Sequence, residues 1–268
     1  MLIMKKNKKT LIISVLTIAL IVAVGINATL AYFTDKDTVT NTFTMGDIKI
    51  NITEPGWSEE DGRGLLPGNV REKDPTVTAL KGQSYMRVRM EVTDGDGSLI
   101  TDTGRLNLIL AALFYDTAYG SAGLNLKAGE KYSAAELQAL VTAGKINRVF
   151  NASAFAFAGI ETGKPAVRYY NYIANGGIFD AAKDPADRAV LFSNVVIPKD
   201  WHNEEMYILS GDTYAVTANG GLEVIEKGNG FKIILTAEAV QSSEMMNAAE
   251  AFAVLDDMTG VTRDTSGV

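Results

Sequence analysis

Cysteine is absent from the 268 residues, histidine occurs once, at His202, and there are only six prolines and two tryptophans. No disulfide, thiolate zinc site, iron–sulfur cluster or cysteine nucleophile can form, and no side-chain arrangement that needs two histidines can be built. What is present is the composition of a folded chain: 47% hydrophobic and 21% charged residues, with length enough for one large domain or two small ones around a buried core. A disulfide-stapled miniprotein and a disordered chain are both excluded. The formal charge of −7, from 25 Lys and Arg against 32 Asp and Glu, is unevenly spread, because Lys5, Lys6, Lys8 and Lys9 stand together at the N-terminus.

Those lysines precede the uncharged apolar run Leu11–Ile26, which is followed by the small-residue stretch Asn27-Ala-Thr-Leu-Ala31. This is the three-part layout of a secretory signal, with Thr29 and Ala31 at the −3 and −1 positions of a cut between Ala31 and Tyr32. A permanent membrane anchor is the competing reading. The run has sixteen residues, short of the roughly 18 to 20 that span a bilayer, and no basic stop-transfer cluster follows. Residues 1–31 are therefore expected as a signal peptide, a helix that touches the membrane only while the leader is uncleaved. Its removal takes away four basic residues and no acidic one, leaving 237 residues with 21 basic against 32 acidic side chains and a charge of −11. So acidic a surface repels nucleic acid and anionic lipid, and neither is an expected partner. An exported chain without cysteine fits a Gram-positive wall or extracellular matrix better than a disulfide-rich secretome.

Alternation dominates both ends of the exported part. In Tyr85–Asp94, Met86, Val88, Met90 and Val92 fall on one face and Arg87, Arg89, Glu91 and Thr93 on the other, which predicts a half-buried antiparallel strand. Asp47–Thr53 repeats the pattern with Ile48, Ile50 and Ile52 inward, and Gly230–Gln241 reads as a more fully buried strand. Leu65-Leu-Pro-Gly-Asn69 and Lys73-Asp-Pro75 carry turn chemistry. Short strands separated by such turns point to a mainly β fold, an antiparallel β-sandwich. In the middle, Ser133-Ala-Ala-Glu136 is a capping box opening a helix over Ala134–Ala143, which Gly144 closes. Leu106–Phe114 is apolar throughout, so helix and buried strand both remain open; Asn247–Leu255 suits a short helix. The expected organisation is a signal peptide at 1–31, an extended segment at 32–46, and a sandwich domain at 47–268 with a partly helical insertion across about 101–190.

Few residues offer chemistry. Asp94-Gly-Asp-Gly-Ser98 has the look of a calcium loop, but the Gly and Glu that such a loop needs at positions six and twelve are Leu99 and Arg105 here; a polar turn is expected. His202-Asn-Glu-Glu205 lacks the spacing that puts two imidazoles on one helical face. Gly176-Gly177 and Gly220-Gly221 read as loops, and no Gly-x-Ser-x-Gly elbow occurs. No catalytic residue, metal ligand or cofactor is assigned. The segment after the cut is more informative. Behind Tyr32 and Phe33 comes polar Thr34-Asp-Lys-Asp-Thr38; then Thr38, Thr40, Thr42 and Thr44 share one face, with Val39, Phe43 and Met45 on the other. It is either the first strand of the chain's own sheet or a strand that leaves its domain and completes a neighbour's sheet. A head-to-tail contact of the second kind does not close on itself and makes a fibre.

Ala31-Tyr-Phe-Thr-Asp35 after an apolar leader, followed by Asn41-Thr-Phe-Thr-Met-Gly-Asp-Ile-Lys-Ile50, resembles the N-terminus of the TasA/camelysin-like exported proteins of Gram-positive bacteria. Leu66-Pro-Gly68, Lys73-Asp-Pro-Thr-Val77, Tyr85-Met-Arg-Val88 and Ala237-Glu-Ala-Val-Gln-Ser242 continue the likeness over roughly half the chain, while 101–190 carries no matching motif. Length and the central insertion look closest to the clostridial BsaA-like biofilm branch. The resemblance implies a jelly-roll-like sandwich, a dedicated SipW-type signal peptidase as processing partner, secretion to the cell surface or matrix, and polymerisation into biofilm fibres through an N-terminal donor strand, with or without a minor assembly protein. Carried onto this chain, the polymer contacts are Tyr32, Phe33, Val39, Phe43 and Met45. The camelysin side of the family bears a metalloendopeptidase label, which the residue types here do not support; such a protease and a monomeric surface adhesin are the alternatives.

Overall fold

The computed structural model describes residues 48–55, 65–113, 116–117, 131–143, 146–147, 151–210, 213–218, 222–226, 228 and 230–266. The expected signal peptide and the segment at 32–46 lie outside them. In chain order the first elements are β1 (Lys49–Thr53), β2 (Val70–Glu72), β3 (Thr76–Lys81), β4 (Gln83–Asp94), α1 (Thr103–Leu113), β5 (Asp116–Thr117), α2 (Ala134–Thr142), β6 (Ile146–Asn147), β7 (Phe155–Glu161) and β8 (Lys164–Tyr172). There follow β9 (Ile178–Asp180), β10 (Arg188–Val190), β11 (Asn194–Val196), α3 (Asn203–Ser210), β12 (Thr213–Val216), β13 (Leu222–Glu226), β14 (Phe231–Gln241), α4 (Ala248–Thr259) and β15 (Arg263–Asp264). The fold is mainly β, as expected. Its largest sheet runs β14-β4-β8-β7-β15, with β9 sharing with β8 the second edge of β4; a smaller sheet runs β1-β3-β10, and every pairing is antiparallel.

The alternation read from the sequence sets the packing of these sheets. Met86, Val88, Met90 and Val92 of β4 have no solvent exposure and meet Ile50, Ile52, Val77 and Ala79 of the smaller sheet in one core, together with Phe231, Ile233 and Leu235 of β14. Each such large apolar side chain contributes roughly 1.5–3 kcal/mol by leaving water. Leu106–Leu113 resolves as helix, Phe114 lying outside the described residues: Asp102 Oδ1 accepts the Arg105 N–H at 2.7 Å at the entry, and Leu106 and Ile109 turn one face inward while Asn107 stays exposed. The capping box of α2 is formed as expected, with both Ser133 and Glu136 bonded to the other's backbone. The C-terminal helix runs longer than its apolar core suggested and ends at Gly260, which adopts the left-handed conformation.

Two expectations need correction. The face of β4 read as solvent-facing is covered by α4, which packs Phe252 edge-on against Tyr85. Arg87 is fully buried there: its Nε donates to Glu238 Oε2 at 2.6 Å, its Nη1 reaches Asp256, and its guanidinium lies 4.7 Å from the centre of the Tyr169 ring. Lys73 lies in the connection between β2 and β3, where turn chemistry was expected, and is buried in a pair with Glu54 at 2.6 Å. Finally, 101–190 has the character of a partly helical insertion only over its first half. Its second half supplies β7, β8 and β9 to the large sheet, unseen because β8 is buried on both faces: Ala166, Tyr170 and Tyr172 join the main core, Val167 and Tyr169 the opposite side.

Asp256 is shared between Arg87 and Arg263, whose Nη1 also donates to the Ala158 carbonyl at 2.8 Å. Breaking a buried pair leaves an uncompensated charge. Arg87→Met should therefore lower the stability of the exported chain by about 3–5 kcal/mol in urea denaturation, and adding Glu238→Leu should restore much of the loss. Burial pushes the phenols of Tyr169 and Tyr170 up to about 12, from an ordinary value of about 10. A raised folded-state pKa contributes stability that is whole below the unfolded value and is lost as pH climbs through the folded one. Stability should thus fall between pH 10 and 12, and Tyr170→Phe should flatten that part of the profile.

Candidate functional site

An edge of the large sheet is the most reactive feature of the described surface. β14 pairs residue for residue with β4, from Phe231 opposite Asp94 to Gln241 opposite Ser84, and among the described residues no strand pairs with its other side. An edge strand exposes a row of unpaired backbone N–H and C=O groups, and proteins usually blunt it with proline, lysine or a bulge. Across its eleven residues β14 has no proline, one lysine, Lys232, and unbroken register. Its Glu238 is spent inward on Arg87. The edge is also held rigidly: Arg105 reaches the Gly230 carbonyl at 2.6 Å and pairs with Asp94 at one end, while Arg87 grips Glu238 towards the other.

β1, the edge of the smaller sheet, lies against β14, so the two open edges form a seam along one side of the core. The chain enters this seam at a defined end. Lys49 is opposite Lys81, Gly82 alone separates β3 from β4, and Ser84 is opposite Gln241. The first residue of β1 thus lies at the end of the seam where β14 finishes. The far edge of the large sheet is partly covered: β15 sets Arg263 and Asp264 opposite Glu161 and Ile160 at one end of β7. Gly159 permits that approach, because a Cβ there would stand 2.5 Å from the Asp264 carbonyl oxygen, at a φ of +103°.

Further inward, Arg89 Nη2 on β4 pairs with Glu91 at 2.6 Å and its Nε donates to the Tyr169 hydroxyl. Although burial works against ionisation of Glu161, Lys164 and Arg89 hold its carboxyl below the usual range. These charges are mutually satisfied and mark a structural network. Sequence reasoning missed the neighbouring cluster around Arg87, formed by Glu238, Asp256 and Arg263; the available signal was a glutamate among the apolar residues of β14.

The candidate polymer contacts Tyr32, Phe33, Val39, Phe43 and Met45, and the cleavage bond between Ala31 and Tyr32, lie outside the described residues. His202 stands at the entry to α3, where its backbone N–H donates to Glu205 Oε2 at 2.9 Å. Glu205 is thereby used to cap the helix, and among the described residues no group of three His, Asp or Glu side chains is placed to hold a metal ion. Asp94–Ser98 is the polar turn expected: Gly97 N–H donates to the Asp94 carbonyl, Ser98 N–H to Asp96 Oδ1, and the Asp94 carboxylate pairs with Arg105. Among the described residues no helix is long and apolar enough to cross a membrane.

Residues 5–77 are similar to a family described as camelysin metallo-endopeptidase. The likeness covers about a quarter of the chain, from the leader to the first residues of β3. No curated protein matches the chain. A lysine in place of Ile234 would lie opposite Glu91 on the half-buried outer face, so Ile234→Lys should keep the fold, with a melting temperature close to the parent's. It should nevertheless abolish any self-association that uses this edge, as read by sedimentation velocity.

Proposed function

We propose that the chain is a secreted, non-enzymatic structural subunit of extracellular biofilm-matrix fibres or pilus-like polymers, built by laying Tyr32–Met45 of one copy along β14 of the next. The open, rigid, weakly guarded edge of β14 carries this reading, because an added strand gains main-chain hydrogen bonds there and side-chain pockets on the core side. Parity supports it as well. With the incoming strand antiparallel and Asp35 opposite Gln241, Val39, Phe43 and Met45 fall opposite Ala237, Ile233 and Phe231, on the face of β14 that lines the core. The threonine face is then outward with Lys232 and Thr236.

In this reading a SipW-type signal peptidase frees Tyr32 as the new N-terminus, copies of the chain are the principal partner, and the membrane is met only through the uncleaved leader. A minor assembly protein is a compatible third component. The two face-to-face antiparallel sheets are consistent with a jelly-roll-like arrangement once the seam is filled.

The description of the similar family favours a second reading, a cell-surface metallo-endopeptidase. Its chemistry finds little footing in this chain: residues 5–77 contain no histidine, and His202 lies far outside them with Glu205 committed to its helix. One experiment separates the readings. Exported protein with and without Tyr32–Met45 is compared by electron microscopy and assayed on casein with and without chelator. Filaments should form only when the segment is present, and neither form should show chelator-sensitive hydrolysis; filaments of unchanged abundance after the deletion would sink strand addition.

A further inference from the structure

The donor segment is joined to its own subunit by very little chain. In the register given above, Met45 lies opposite Phe231, the first residue of the neighbour's β14. Ile48 is already in the core of the subunit that gives the strand, where it is 5% exposed. Only Gly46 and Asp47 stand between the two, and the three steps from Met45 to Ile48 span at most about 11 Å. Two folded bodies tied so closely have to abut.

The topology selects the ends that meet. In the donating subunit β1 begins with Lys49, opposite Lys81, at the end of the seam where that subunit's own β14 finishes. In the accepting subunit β14 begins at the other end, where Phe231 pairs with Asp94 and the chain turns through Ser98 towards α1. A strand antiparallel to β14 leaves the acceptor at that second end, so successive subunits stand end to end. The charges of the two ends differ in sign. Lys49 and Lys81 are both exposed and directly opposite each other, an arrangement that costs stability within one subunit. At the other end Asp94 is neutralised by Arg105, while Asp96 and Asp102 are exposed. The Ser98 N–H, and more weakly Lys232 of β14, hold the Asp96 carboxyl below the usual range. Among the described residues, two carboxylates against one lysine leave this end acidic.

We propose that the Lys49 and Lys81 end of each subunit docks on the Asp96 and Asp102 end of the next copy, a charge-matched contact that rests on the strand reading and steers it. The exported chain carries a charge of −11 and repels its own copies. A basic end matched to an acidic one favours approach in the head-to-tail sense, because the other two encounters bring like charges together. The strand then supplies the hold, and the ends supply the direction.

Charge reversal in the exported chain tests the contact. Lys81→Glu and Asp96→Lys fall on exposed positions and should leave the melting temperature close to the parent's. Each alone should raise the protein concentration needed for filaments about fivefold at low salt. A chain carrying both should return to the parent's threshold, because the pair is restored in the reversed sense. Unchanged thresholds in the single variants overturn the end contact, and so does a double variant no better than either single one. Strand addition is judged separately, by deleting Tyr32–Met45. Filaments that survive the deletion overturn strand addition and the contact with it, whereas filaments lost on deletion but indifferent to both charge reversals overturn the contact and leave strand addition standing.

Discussion

A single buried cation organises one side of the molecule. Arg87 has no contact with solvent, and its charge is tolerable only because Glu238 and Asp256 meet it within hydrogen-bonding distance and the Tyr169 ring lies across it. Each partner comes from a different element: β14, α4 and β8. The cation therefore ties the open edge of the sheet, the helix that covers it and the next strand inward into one unit. Asp256 extends the tie through Arg263 to β15 and so to the far edge. Apolar burial supplies most of the stabilisation, but it is non-directional; the arginine fixes which helix lies on which strands.

That division explains what could be read without coordinates. β1, β4 and β14 were legible because one face of each carries an uninterrupted apolar series, and α2 because Ser133 and Glu136 form a capping box. The outward destination assigned to Arg87 was wrong for a general reason. Alternation reports which residues share a face, and says nothing of what is laid over the polar face from distant parts of the chain. α4 is separated from β4 by more than 150 residues, and no local pattern signals their contact. β7 and β8 escaped because strands buried on both sides lose their alternation.

The candidate site divides along the same line. Its donor half, Tyr32–Met45, is a local pattern and can be seen in the sequence. The proposed acceptor half is a property of topology: that β14 lies at an edge among the described residues follows from the strand order, which no stretch of residues encodes by itself. Lys232 as the sole lysine of the strand and the absence of proline become meaningful only once the edge is known.

The two-residue strand β15 is small in area, yet it lies across one end of β7, so among the described residues the two edges of the large sheet differ in kind: β14 offers eleven residues in unbroken register and β7 an edge that is partly covered. In the proposed fibre that difference would direct an incoming strand to β14 and favour an unbranched thread with distinguishable ends over laterally fused sheets. The strap comes so close only because residue 159 has no side chain.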